Sequence, residues 1–141
     1  MIPVFPPKNA LLQACRGTIT ADHPLLHWAH QLTELHERKR AAPESTHPDV
    51  DRHRTTLITT IDHWITNNLP PTHGSAMIHT ESAGTVIDRL ANLTSHAYAA
   101  LTSPHEQDLW KTWEHLAQLA IGYEDLATDV HTGRRRLPGA R

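Results

Sequence analysis

The sequence predicts an all-α protein, an up-down bundle of four main helices preceded by a short N-terminal helix. Apolar residues recur at three- and four-residue intervals through most of the 141-residue chain, the spacing that lines one face of an α-helix. The ten prolines and six glycines fall mostly between these periodic stretches, where helix breakers belong. No stretch alternates apolar and polar residues two by two, so no sheet is expected.

The first helix is expected over residues 10–16, capped by Asn9 and stopped at Gly17. It follows an extended arm, residues 1–8, that carries three prolines. The second starts at Pro24, a residue suited to the first helical position, with Asp22 or His23 as cap, and runs to about Arg40. The third repeats that opening with Thr46 or His47 before Pro48, and ends near Asn68 ahead of Leu69-Pro70-Pro71. Thr80 is expected to cap a fourth helix over residues 81–101, with Glu81 at the positive end of its dipole. Ser103-Pro104-His105-Glu106 reads as a capping box that opens a fifth helix, residues 104–132, stopped at Gly133. At about 1.5 Å per residue this last helix is roughly 43 Å long, longer than its partners, and Gly122 is the expected bend point. Residues 134–141 read as a mobile basic tail.

Length and composition favour a single helical domain over residues 1–141, large enough to bury a core without staples. The formal net charge of −2 supplies no field to steer the chain onto nucleic acid or a membrane surface. Cys15 is the sole cysteine, which rules out an internal disulfide and fits a reducing compartment. The N-terminus lacks a charged start and a long apolar run. No stretch approaches the roughly 18 apolar residues of a membrane span. A cytoplasmic protein with no membrane contact is expected. The thirteen histidines fall mostly outside apolar faces, where titration near neutrality is their ordinary behaviour.

The helical faces single out a few residues. On the fifth helix, Leu109, Trp113, Leu116, Ala120, Tyr123, Ala127 and Val130 form a seam, which Trp110, Ala117 and Ile121 widen on one flank. Glu124 falls within that arc. The second helix buries Leu25, Trp28, Ala29, Leu32 and Leu35, with His36 pointing into the stripe. His27, His30, Glu34 and Glu37 have metal-like spacing but lie on its far side, so they read as a solvated face. The third helix buries Val50, Leu57, Ile58, Ile61, Trp64 and Ile65, with Arg54 in the middle of the stripe. The fourth buries Ala83, Val86, Ile87, Leu90, Ala97, Tyr98 and Leu101, beside a polar stripe of Glu81, Asp88, Asn92 and Ser95. Gly84 and Ala91 flank that stripe and leave room for close approach of a backbone or ligand.

His36, Arg54 and Glu124 thus break the apolar pattern. One expectation is a buried Arg–Glu pair completed by the histidine. The other is a polar pocket in which Arg54 holds an anionic group and His36, Glu124 or Asp88 moves protons. No Glu-x-x-His pair occurs on predicted helices, and no HExxH, phosphate-binding loop, GxSxG or paired CxxC is present. No metal site and no cofactor are therefore expected, and Cys15 reads as inert packing.

The run Thr80-Glu81-Ser82-Ala83-Gly84-Thr85-Val86-Ile87-Asp88-Arg89-Leu90 resembles the ET-x-G-x-x-IDRL signature of a bacterial domain of unknown function numbered forty-two fifty-four. Arg54, Leu57, Ile58, Ile61, Asp62 and Trp64 resemble its preceding helix. Leu32, Leu35 and His36, and the stretch from Tyr123 and Glu124 to Leu137-Pro138, resemble an actinobacterial branch. The resemblance covers about residues 10–138. It implies an all-helical fold, carries no assigned activity, and picks out Glu81, Asp88, Arg89, Arg54, His36 and Glu124.

The expected function is binding of a small anionic ligand or a protein partner, a second copy among them, through a charged interior or cleft. Arg54, Glu81 and Arg89 are the candidate ligand-binding residues. The alternative is an enzyme of small-molecule (secondary or glycan) metabolism with His36, Glu124 and Asp88 as candidate acid/base groups. A nucleic-acid partner, through the basic tail, is disfavoured by the net charge.

Overall fold

The computed structural model describes residues 3–70, 74, 76–102 and 105–139. The chain forms an all-α bundle of helices α1 (Lys8–Cys15), α2 (Pro24–Ala41), α3 (Pro48–Asn68), α4 (Ala83–Ala100) and α5 (Glu106–His131). Ser103 and Pro104, half of the expected capping box, lie outside the described residues. Two short strands, β1 (Met77–Ile78) and β2 (Arg135–Arg136), complete it.

Helices α2 and α4 form the centre. α3 packs against both of them, while α5 packs against α4 and α1, and among the described residues touches neither α2 nor α3. His36 and Arg40 of α2 meet Asp88 and Ser95 of α4 in the same order along both chains, so these helices run parallel. α1 fills the remaining corner against α2, α4 and α5. Leu11, Leu25, Leu26, Leu32, Ile61, Ile65, Ile87, Leu90 and Tyr123 are fully buried in the shared core.

Side chains set the helix starts. His23 caps α2, its Nδ1 accepting from the Leu25 N–H at 3.1 Å. The cap of α4 is Ser82, whose Oγ accepts from the Thr85 N–H at 3.2 Å. Thr80, expected in that role, stands two residues too early: a cap must lie where its oxygen reaches the N–H of the second or third helical residue. The arm before α1 lies along the bundle. Its Pro3 carbonyl accepts from His23 Nε2 at 2.7 Å, and its Pro6 carbonyl from the Tyr123 hydroxyl at 2.6 Å.

Three expectations need correction. A minimal parallel pairing exists, Met77 with Arg135 and Ile78 with Arg136; two residues per strand are too few to leave an alternating pattern. The expected loose tail is tied down here, because Leu137 is buried, Arg135 pairs with Asp129 at 3.1 Å, and Arg136 Nε donates to the Ala76 carbonyl at 3.2 Å. The buried arc of α5 is also rotated from the expected one. Leu116, Ala120, Tyr123, Leu126 and Val130 are buried, whereas Trp110, Ala117 and Ile121 are exposed. The apolar residues of α5 cover more of its circumference than its two helical neighbours enclose. The helix is continuous through Gly122.

α3 and α4 come unusually close. A Cβ added to Gly84 would lie 2.6 Å from the Ile58 carbonyl oxygen and 2.7 Å from Asp62 Oδ1. The Gly84 N–H donates to that same Asp62 Oδ1 at 2.7 Å. The space left by Gly84 is thus filled by the neighbouring helix.

Candidate functional site

The polar residues of the bundle interior gather where the C-terminal half of α2, the N-terminal half of α3 and the middle of α4 meet. His36 is carried inward by the apolar stripe of α2 and is buried. Its Nε2 lies 2.8 Å from Asp88 Oδ1. An ionised carboxylate only accepts, so Nε2 carries the hydrogen and donates, and His36 makes no other hydrogen bond among the described residues. Arg54 approaches the second oxygen of the same carboxylate, Nη1 to Oδ2 at 3.4 Å. The Arg54 Nε is buried and has no hydrogen-bond partner among the described residues.

One turn beyond His36 on α2, Arg40 is held by neutral groups. Its Nε and Nη2 donate to Ser95 Oγ at 3.3 and 2.8 Å, and its Nη1 donates to His96 Nδ1 at 2.8 Å. Among the described residues no carboxylate bonds to it. Partial burial pulls this guanidinium below its ordinary pKa, and the nearby charge of Glu37 opposes that shift. His96 is also lowered, first by desolvation and then by the charges of Arg40 and His36. Between Asp88 and Ser95 on α4, half-buried Asn92 makes no hydrogen bond among the described residues. At the α2–α3 edge Lys39 Nζ donates to Asp51 Oδ1 at 2.8 Å, and that bond holds the Asp51 carboxyl below its ordinary pKa. The cluster therefore holds three cations, Lys39, Arg40 and Arg54, of which Lys39 and Arg54 are bonded to carboxylates, Asp51 and Asp88, while Arg40 has the charge of Glu37 nearby but no bond to a carboxylate among the described residues.

Of the six residues singled out in the sequence, His36, Asp88 and Arg54 are brought together. Glu81 and Arg89 pair with each other on the outer side of α4 and do not touch that group. Glu124 is not inward-facing: it is exposed and meets Lys8 of α1 at 3.6 Å. The reason is the rotation of α5, since Glu124 shares the uncovered flank of Trp110, Ala117 and Ile121. The carboxylate that meets Arg54 and His36 is Asp88, so the expected Arg–Glu pair is an Arg–Asp pair. Of the four residues expected on a solvated face, His27, Glu34 and Glu37 are exposed, whereas His30 is half-buried, lies 3.5 Å from Glu34 and has a buried Nδ1 with no hydrogen-bond partner among the described residues. Cys15 is buried, and desolvation raises its pKa despite hydrogen bonds to Thr33 and Thr94, so it is a poor nucleophile.

Sequence reasoning missed Arg40, Lys39, Asp51 and His96. A signal for Arg40 existed: it stands four residues after the inward His36, on the same face, and opposite a stripe that already contained Ser95.

These features define a helical bundle with a partly buried polar cluster where α2, α3 and α4 meet, in which Arg40 is bonded only to neutral groups among the described residues. The chain belongs to the family described as protein of unknown function (DUF4254), whose model matches residues 32–138. No curated protein and no solved structure matches the chain. The matched span includes every residue of the polar cluster. Among the described residues, no helix is long and apolar enough to cross a membrane.

Proposed function

We propose that this protein binds a small anionic ligand in the cleft between α2, α3 and α4, with Arg40 and Arg54 as the anion-holding residues. The observation that carries this reading is Arg40. A guanidinium drawn partly out of water normally recruits a carboxylate, yet this one is held by a hydroxyl and an imidazole. Its charge is positioned and left without a bonded counter-charge. The buried, unpartnered Nε of Arg54 and the free amide of Asn92 add donors on the same side of α4. In this reading Asp88 orients Arg54 and His36, while Glu81 and Arg89 shape the outer rim. The single cysteine and the absence of a spanning helix favour a cytoplasmic setting, and the resemblance of residues 123–138 favours an actinobacterial source.

Calorimetric titration with inorganic phosphate and with succinate tests the proposal. Arg40→Met is expected to weaken whichever anion binds by about tenfold or more, equivalent to about 1.4 kcal/mol, while the circular dichroism spectrum stays helical. Unchanged binding in Arg40→Met and in Arg54→Met would overturn it.

A second reading rests on His36. A histidine whose Nε2–H is fixed by a carboxylate presents Nδ1 as a base, and an anion seated by Arg54 would bring a substrate to it. Glu124, at the surface, takes no part. An enzyme reading requires that His36→Gln abolish turnover of a bound anionic metabolite without abolishing its binding.

A further inference from the structure

A large groove lies well away from this cleft, at the other ends of α2 and α3. From Pro24 to His36 alone is about 18 Å along α2. The groove, of 1210 Å³, is walled by the N-terminal arm, the start of α2, the end of α3 and the end of α5. That is at the upper end of, or above, the volumes usual for small-molecule sites.

Its walls are built before any ligand arrives. His23 braces three of them at once: Nδ1 caps α2, Nε2 holds the arm at Pro3, and the ring lies against Trp64 of α3 with centroids 5.1 Å apart. Tyr123 of α5 fixes the arm a second time at Pro6. A preformed pocket loses little ordering entropy on binding.

The lining fixes the chemistry. Phe5, Trp64 and Leu69 offer apolar and aromatic surface, and Asp22, Asn67 and Asn68 stand beside them. Asp22 makes no ion pair or hydrogen bond among the described residues, nor does Asn67. Asn68 donates from Nδ2 to the Trp64 carbonyl, which leaves its own oxygen free to accept. Among the described residues no lysine or arginine lines the groove, and His131 is the one other titratable side chain there. Asp22 stands two residues before the first residue of α2, at the mouth of the groove. Among the described residues the groove thus combines one carboxylate without an ion-pair partner, free amide oxygens and aromatic faces. That set complements an ammonium attached to a ring, through charge pairing and cation–π attraction.

We propose that this groove is a second binding site, separate from the anion cleft, and that it takes a small amine with an aromatic or alicyclic body. The proposal stands independently of the anion-binding reading.

Phenethylamine and 3-phenylpropionate, which carry a ring and opposite charges, are the probes, both used in the same buffer at one fixed pH. Binding is read by amide and indole NMR shifts. Phenethylamine is expected to shift the Asn67 and Asn68 side-chain amides and the Trp64 indole N–H, and to bind about tenfold or more tighter than the acid. Asp22→Asn, at an exposed position without partners, is expected to remove that preference and leave the fold intact. Arg40→Met is expected to leave amine binding unchanged. Equal binding of the two probes, shifts that map elsewhere, an undiminished preference in Asp22→Asn, or no saturable shift with phenethylamine would each overturn the proposal.

Discussion

Asp88 joins three helices through one carboxylate. Its two oxygens take His36 of α2 and Arg54 of α3, and its side chain is 13% exposed. Truncation leaves both partners facing a space with no counter-charge. Full burial would make that loss severe, but Arg54 keeps 30% side-chain exposure and reaches water along its stem. Asp88→Ala is therefore expected to lower stability by about 1–3 kcal/mol in a urea melt. Glu124→Ala is expected to change it by less than about 0.5 kcal/mol, the range of an exposed pair. The buried Tyr123 hydroxyl, whose pKa burial drives far up, stays a donor throughout the working range. Tyr123→Phe removes its bond to the Pro6 carbonyl and is expected to cost about 1 kcal/mol.

Two neighbouring residues, His96 and Asp51, set an acid limb to stability. His96 takes up a proton less readily in the fold than in the unfolded chain, because it is desolvated and beside Arg40. Below its ordinary value of 6.5 the unfolded chain binds the proton first, so stability is full above that pH and falls as the solution is acidified. Asp51, held down by Lys39, adds stability that is present above its unfolded value and is lost as pH falls through its lower folded one. Thermal melts are expected to show a falling Tm from neutrality into acid, and His96→Gln is expected to flatten the upper part of that slope.

Among the elements, the α3–α4 contact and the placement of α5 decide most. Gly84 lets α4 close on the Ile58 carbonyl, and backbone cannot swing aside as a flexible side chain can. Gly84→Ala is expected to destabilise by about 1–3 kcal/mol, more than the gain in helix propensity of roughly 1 kcal/mol returns. Asp62→Asn tests the same contact, keeping an oxygen for the Gly84 N–H and losing its charge. On α5 the contrast lies between faces. Leu126→Ala, in the buried arc, is expected to cost about 2–5 kcal/mol, whereas Ile121→Gln on the open flank should fall within about 0.5 kcal/mol. A large loss at Ile121 would mean that the flank is covered in solution.

At the level of the whole molecule, two centres sit toward opposite ends of the same pair of helices. Parallel α2 and α4, with α3 across both, bring the polar cluster together; the docked arm and the end of α5 help wall the groove. Periodicity and breakers made the five helices legible, since the 3.6-residue repeat and the proline starts act locally. They also made His36 and Arg54 legible as inward polar residues, because burial on a helix follows from position on its wheel. What each would meet was not legible. Asp88 looked like part of an outer stripe until α4 was set parallel to α2 and beside α3. Glu124 looked inward because a wheel shows how wide an apolar arc is, but not which part a neighbour covers. The all-α class and the number and approximate extent of the helices were determined by the sequence itself, through local backbone preference and amphipathic spacing, although α1 begins at Lys8 rather than after Asn9 and α4 is capped by Ser82 rather than Thr80. The Asp88 junction, the unbalanced Arg40 and the exposed flank of α5 were decided only by tertiary structure, because each depends on which helix faces which, and that choice is made by packing residues far apart in the chain.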